Sequence, residues 1–260
     1  MKKTEKSFPS AILGLCLFFG TGLLGSCSKT PVPPGAVSLT IVNTLTTPLI
    51  VNFNEEDSIL FTGGGVGQIV DRNTALAFGL NGGKQIVNLR EINTANPIYT
   101  WADHSMLNLL FDLPAGTMGS LFVSGTKEVP DTLLVRDSPL HFPAGDSSMG
   151  IRFINLSGEK AAVDVNLAGQ ADGSEAADLA YKNITAFTRY PADASVQQYV
   201  FEFRNASDGS LLATAAMSNI NNPGTSGAAN LWRHRNFTLV FRGVPGSTDS
   251  PPAAFIVRNH

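Results

Sequence analysis

Tyr199-Val200-Phe201-Glu202-Phe203-Arg204 alternates aromatic and polar side chains with a period of two. Successive side chains of a strand point to opposite faces, so Tyr199, Phe201 and Phe203 share one face while Glu202 and Arg204 fall on the other. Phe237-Thr238-Leu239-Val240-Phe241-Arg242 repeats the device and predicts burial of Phe237, Leu239 and Phe241. Helical periodicity is almost absent; short β-branched and aromatic runs alternate with Gly, Pro, Asn and Asp clusters. That is the pattern of an all-β protein. Asn81-Gly82-Gly83, between Thr74–Leu80 and Lys84–Arg90, predicts a hairpin turn, because Asn and Gly accept a positive φ. The sheets are therefore expected to be mostly antiparallel.

Outward from these strands the sequence repeats itself. Leu39-Thr40-Ile41-Val42-Asn43 is echoed by Ile151-Arg152-Phe153-Ile154-Asn155, and Val51-Asn52-Phe53 by Val165-Asn166-Leu167. Leu121-Phe122-Val123-Ser124-Gly125 matches Leu239-Val240-Phe241-Arg242-Gly243, and Leu134-Val135-Arg136-Asp137 matches Ile256-Val257-Arg258-Asn259. The order is kept in both halves, and the spans are close: 82 residues from Asn43 to Gly125, 88 from Asn155 to Gly243. Four ordered blocks predict two copies of one fold, at 37–140 and 149–260, joined around Ser138–Ser148.

Ile151-Arg152-Phe153-Ile154-Asn155-Leu156-Ser157, followed by Ala162-Val163-Asp164-Val165, resembles the opening of domain-of-unknown-function 4397. That family begins with an Arg-Phe strand, a His-or-Asn-x-Ser turn and a Val-Asp-Val strand. The resemblance is carried by Gly150–Gly169 and is looser from there to His260. It implies an immunoglobulin-like or transthyretin-like sandwich in an extracytoplasmic bacterial protein, often a lipoprotein, and implies no activity. The expected fold class is thus all-β, two tandem antiparallel β-sandwich domains.

The N-terminal segment reads as an address. Lys2, Lys3 and Lys6 precede a short apolar core, Ile12 to Gly20, and small residues at Gly25 and Ser26 lead to Cys27. The run is too short to span a bilayer comfortably and has the layout of a signal peptide. Leu24-Gly25-Ser26-Cys27 resembles the bacterial lipobox, which implies a signal peptide at 1–26, cleavage before Cys27 and a lipid on its thiol. Buried methylenes contribute about 0.8 kcal/mol each, so two or three acyl chains would hold the protein to a membrane almost permanently. Ser28, where an aspartate would suggest inner-membrane retention, favours the outer membrane of a Gram-negative bacterium; periplasmic and surface faces stay open. The segment 27–36 adds three prolines and reads as a stiff stalk.

Composition narrows the chemistry. Cys16 and Cys27 are the only cysteines, so a mature chain would have no disulfide or cysteine metal site. Removing 1–26 takes three lysines and one glutamate from 18 basic and 21 acidic residues, leaving a net charge of −5. Such a chain is a poor partner for nucleic acid. His104, His141, His234 and His260 have no spacing that suggests a metal clip, and no serine stands in G-x-S-x-G. Gly63-Gly64-Gly65-Val66-Gly67 is followed by Gln68-Ile69-Val70-Asp71, which continues as strand, so a hairpin or bulge is favoured over a phosphate loop. Glu55-Glu56-Asp57 reads as a solvated connection. Asp172 to Asp178 gathers oxygens that could suit calcium but lacks the alternating spacing. Asp164 falls on the solvent side of its strand. Asp57-Ser58-Ile59 and Asp131-Thr132-Leu133 resemble an O-glycosylation acceptor.

Tyr99, Trp101 and Trp232 are the candidate ligand-binding residues. Exposed aromatic rings stack on sugar faces, and each tryptophan has polar neighbours; packing at the core or rim is the competing use. No catalytic residue, metal or cofactor is indicated. The expectation is a lipid-anchored, non-enzymatic envelope protein whose sandwich loops bind a glycan or another envelope protein. The alternatives are a fimbrial or surface subunit, or a hydrolase with dispersed residues.

Overall fold

The computed structural model describes residues 35–53, 68–93, 100–101, 105–225 and 229–259. In the first half, β1 (Ala36–Asn43), β4 (Thr74–Asn81), β8 (Met118–Gly125) and β9 (Pro130–Arg136) form a sheet in the order β4-β1-β8-β9. A second sheet contains β2 (Leu49–Asn52), β3 (Ile69–Val70), β5 (Gly83–Asn93) and β6 (Thr100–Trp101) in the order β3-β2-β5-β6, with β7 (Leu107–Leu113) also paired to β5. The second half repeats this plan. Here β10 (Ser148–Ser157), β13 (Thr188–Pro191), β16 (Asn236–Gly243) and β17 (Ala253–Asn259) are ordered β13-β10-β16-β17. Their companions are β11 (Val163–Leu167), β12 (Ala176–Leu179), β14 (Gln198–Asn205) and β15 (Leu211–Ser218), ordered β12-β11-β14-β15.

The chain is therefore all-β, folded as two tandem, mostly antiparallel sandwiches. The parallel pairs are β1–β8 and β10–β16, and they share one register: Ile41 lies opposite Leu121 as Phe153 lies opposite Leu239. Setting β6 aside, each half places its first strand beside its fourth and its seventh. That distribution differs from the ABED/CFG sheets of immunoglobulin domains.

Alternation fills each sandwich. Phe201 and Phe203 of β14 are fully buried with Phe153, Leu239 and Phe241, and Tyr199 packs against the same cluster. On the outer face Arg204 Nε and Nη2 reach Glu202 Oε2 at 3.0 and 2.9 Å. The first core is aliphatic, built on Leu39, Ile41, Val87, Leu89, Leu121 and Val123.

Two details depart from the sequence reading. Asn81-Gly82-Gly83 is not a hairpin turn: β4 pairs with β1, whereas β5 pairs with β2 and β7. The glycines carry the chain from one sheet to the other, where a Cβ on Gly82 would lie 2.9 Å from the Ala115 nitrogen and Gly83 has φ +112°. Strand β16 is buried on both faces, including Thr238 and Val240, because its outer face meets the other sandwich.

That meeting is a third apolar core. Val42, Phe122, Ile154, Leu156, Val240 and Val257 pack together from the outer faces of the β1 and β10 sheets. The repeat pairs Val42 with Ile154 and Phe122 with Val240, so the two halves present the same patch to each other, as a two-fold dimer does. A polar chain crosses this interface. Arg152 Nη2 donates to Asp137 Oδ1 at 2.6 Å and Arg152 Nε to Thr238 Oγ1 at 2.8 Å. From there Thr238 donates to Asn259 (2.6 Å), Asn259 to Ser120 (3.3 Å), and Ser120 back to Asp137 Oδ2 (2.7 Å). The Asp137 side chain is fully buried and that of Arg152 nearly so, with the guanidinium 4.3 Å above the Phe187 ring. Burial lowers the Arg152 pKa and Asp137 opposes that shift.

The repeated asparagines explain why the first block recurs. Asn43 donates to the carbonyls of Thr47 (2.9 Å) and Val70 (3.0 Å) and accepts from the Leu45 N–H (3.0 Å). Asn155 donates to Ala161 and Leu179 (both 2.8 Å) and accepts from Ser157 (2.9 Å). Each buried amide thus ties the end of the first strand to the turn after it and to the third strand.

Candidate functional site

At the end of the interface where β1, β8, β10 and β16 finish, their turns leave a cleft of about 340 Å³. Such a volume lies in the range of small-molecule sites, about 300–1,000 Å³. Both halves contribute, and again in pairs: Gly125 with Gly243, Thr44 with Leu156 and Thr46 with Gly158. The two glycines have φ of +84° and +101°, which aims the β8–β9 and β16–β17 turns. A Cβ would meet the Val129 carbonyl at 2.4 Å in one and the Pro251 carbonyl at 2.3 Å in the other, so only glycine fits. Thr44 is held by its N–H and its hydroxyl, both donating to the Val123 carbonyl at 2.9 Å.

Outside the glycines the paired positions differ in residue, and one of them differs in charge. Where the first half has Ser124, the second has Arg242, which lines the cleft while only 9% exposed. Its Nη1 donates to Ser250 Oγ at 3.3 Å, and its buried Nε has no hydrogen-bond partner among the described residues. Burial, and then repulsion from Arg72, lower its pKa. Glu128 and Asp249 lie at the exposed rim of the cleft, where water screens them.

A second polar cluster bridges the halves from the side. Tyr181 donates to Asp131 Oδ2 at 2.8 Å, and Lys182 pairs with Asp131 Oδ1. Burial pushes the Asp131 carboxyl up, but hydrogen bonds from Lys182, Tyr181 and the Thr132 N–H outweigh it and hold the pKa below its ordinary value. Asp131 of the Asp131-Thr132-Leu133 motif is thereby engaged within the protein.

The aromatic candidates lie elsewhere. Trp232 is half-buried against the second core, 5.1 Å from the Phe237 ring, and its Nε1 donates to the Ser218 carbonyl at 3.0 Å. Phe237 and Arg242 are at opposite ends of β16, so Trp232 is far from the cleft; five residues of strand span about 17 Å. Trp101 contributes backbone to β6, opposite Ile92. Tyr99 and Cys27 lie outside the described residues, as do His104, His260, Glu55-Glu56-Asp57, Asp57-Ser58-Ile59 and Gly63–Gly67.

His141 and His234 come together at the far end of the interface, beside a depression of about 320 Å³. His234 is committed to the structure, stacked 6.4 Å from Phe142 and bonded through Nε2 to the Asp146 carbonyl. In the 172–178 loop, Asp172 accepts from Asn166 at 3.0 Å and Glu175 accepts from Tyr190. Asp164 accepts from the Asp178 N–H at 2.8 Å. Among the described residues no three His, Cys, Asp or Glu side chains converge as a metal site would require.

Arg242 had escaped the sequence reading, which treated it only as the end of a strand. The available signal was the change from Ser124 to Arg242 beside a glycine repeated in both blocks, one of several mismatches that include Thr40 against Arg152. No family model matches the chain, and no curated protein matches it.

Proposed function

We propose that the chain is a lipid-anchored, non-enzymatic protein of the bacterial outer membrane that binds a glycan or another envelope protein through the turns around the interrepeat cleft. The observation that carries this reading is the cleft itself: four turns on a rigid frame, with a buried guanidinium facing into it. Turns held by a scaffold are where binding residues concentrate. The lipobox-like Leu24-Gly25-Ser26-Cys27 and the proline-rich stalk support the location. The hydroxyls of Thr44, Thr46, Thr126 and Ser250 suit a polyhydroxylated ligand, with Leu156 and Val244 offering apolar contact to its C–H face.

Binding is tested with the full chain in detergent on a glycan array and against envelope extracts. The expected result is retention of a defined glycan or envelope component, lost when Thr46→Trp fills the cleft. Retention that is indifferent to filling the cleft refutes its role. The anchor is tested by palmitate labelling of wild type and Cys27→Ala; an unlabelled wild type that washes from membranes refutes the location.

A further inference from the structure

We infer that the cleft is selective for an acidic sugar, with Arg242 receiving its carboxylate or sulfate group. The inference rests on the glycan reading above and specifies the ligand class. A guanidinium is protonated at all physiological pH values and needs its N–H groups satisfied. Here the arginine is only 9% exposed, its buried Nε has no partner among the described residues, and its one side-chain hydrogen bond among those described goes to a neutral hydroxyl. No carboxylate forms an ion pair with it among the described residues, and burial and then the like charge of Arg72 lower its pKa.

A buried, half-satisfied cation destabilises a fold unless something of opposite charge arrives. An oxyanion is the matching group, since a guanidinium fork takes carboxylate or sulfate oxygens in pairs. The rest of the cleft argues against a bare anion. Lys127 at the rim is already paired with Glu91, so Glu128 and Asp249 beside it would disfavour a bare anion, whereas they would accept hydrogen bonds from sugar hydroxyls. The cleft therefore has an anion end at Arg242 and a hydroxyl-recognising rim, which together describe a uronic acid or a sulfated sugar.

The test is calorimetric titration of the full chain in detergent with glucuronate, glucose 6-sulfate, glucose and inorganic sulfate, repeated with Arg242→Gln. Glucuronate or glucose 6-sulfate should bind at least tenfold tighter than glucose and than inorganic sulfate; which of the two wins identifies the anion. Arg242→Gln should abolish the preference while its melting temperature, without ligand, equals or exceeds that of wild type. A glucose affinity equal to that of the acidic sugars overturns the inference, as does an unchanged preference in Arg242→Gln. A lower melting temperature in that variant also overturns it, because the arginine would then be structural. Retention of the same envelope component by wild type and Arg242→Gln, with no preference for acidic sugar, removes this inference and leaves the binding reading standing. Retention of nothing by wild type removes both.

Discussion

Replacing Arg152 by methionine removes the centre of the polar chain that joins the two sandwiches. Methionine keeps much of the volume over Phe187 but loses the donors to Asp137 and Thr238. The Asp137 carboxylate, wholly buried, would be left with Ser120 as its hydrogen-bond donor from that chain. Breaking one side of a buried pair costs about 3–5 kcal/mol, because the surviving charge stays out of water. For a unit of this size each kcal/mol lowers the melting temperature by about 2–4 °C, so a fall of about 6–20 °C is expected. Asp137→Asn should cost a similar amount by stranding the guanidinium. The double variant should be less destabilised than the sum of the two, since no unpaired charge remains. Urea unfolding of the four proteins gives the coupling. Trypsin adds a structural readout, because loosening the interface should speed cleavage after Arg136, next to the connector. A loss below about 1 kcal/mol for Arg152→Met, within the range of exposed pairs, would refute the reasoning, as would simple additivity.

Asn43→Ala and Asn155→Ala each strip three backbone groups of a partner, at about 1 kcal/mol apiece; urea midpoints should show nearly equal losses of about 3 kcal/mol. Gly125→Ala and Gly243→Ala should each destabilise by more than about 1 kcal/mol in thermal melts, because both positions combine a positive φ with a carbonyl in the space of the new Cβ. The Asp131 carboxyl titrates lower in the folded chain than in the unfolded chain. Its contribution is therefore complete above the unfolded value near 3.8 and is lost as pH falls through the lower folded value. Asp131→Asn should flatten the loss of stability below pH 4 while leaving the shape of the curve above pH 5 unchanged, a pattern that denaturation at stepped pH will reveal.

The sandwiches were legible because their strands obey a local rule. Phe201, Phe203, Phe237, Leu239 and Phe241 sit inside, and Glu202 and Arg204 sit outside, where period-two alternation puts them. The repeat was legible for a related reason, since Asn43 and Asn155 answer the same hydrogen-bonding demand. The turn at Asn81-Gly82-Gly83 misled because a local signal announces a change of direction but not the sheet that the next strand will join. The interface was hidden because Val42 and Ile154 look like ordinary strand residues until their second face is known to be covered. Arg242 was hidden for a similar reason: an arginine ending a strand usually reaches water, and nothing local in the sequence marks this one as buried.

Fusion of the halves has a consequence at Ser124 and Arg242. A pair of identical protomers meeting across this interface would be obliged to carry every residue twice, so each arginine would come with a twin and each serine likewise. In one continuous polypeptide the copies are free to differ. The cleft can therefore house one buried arginine without its mirror image, and a lopsided pocket can grow on an otherwise balanced scaffold.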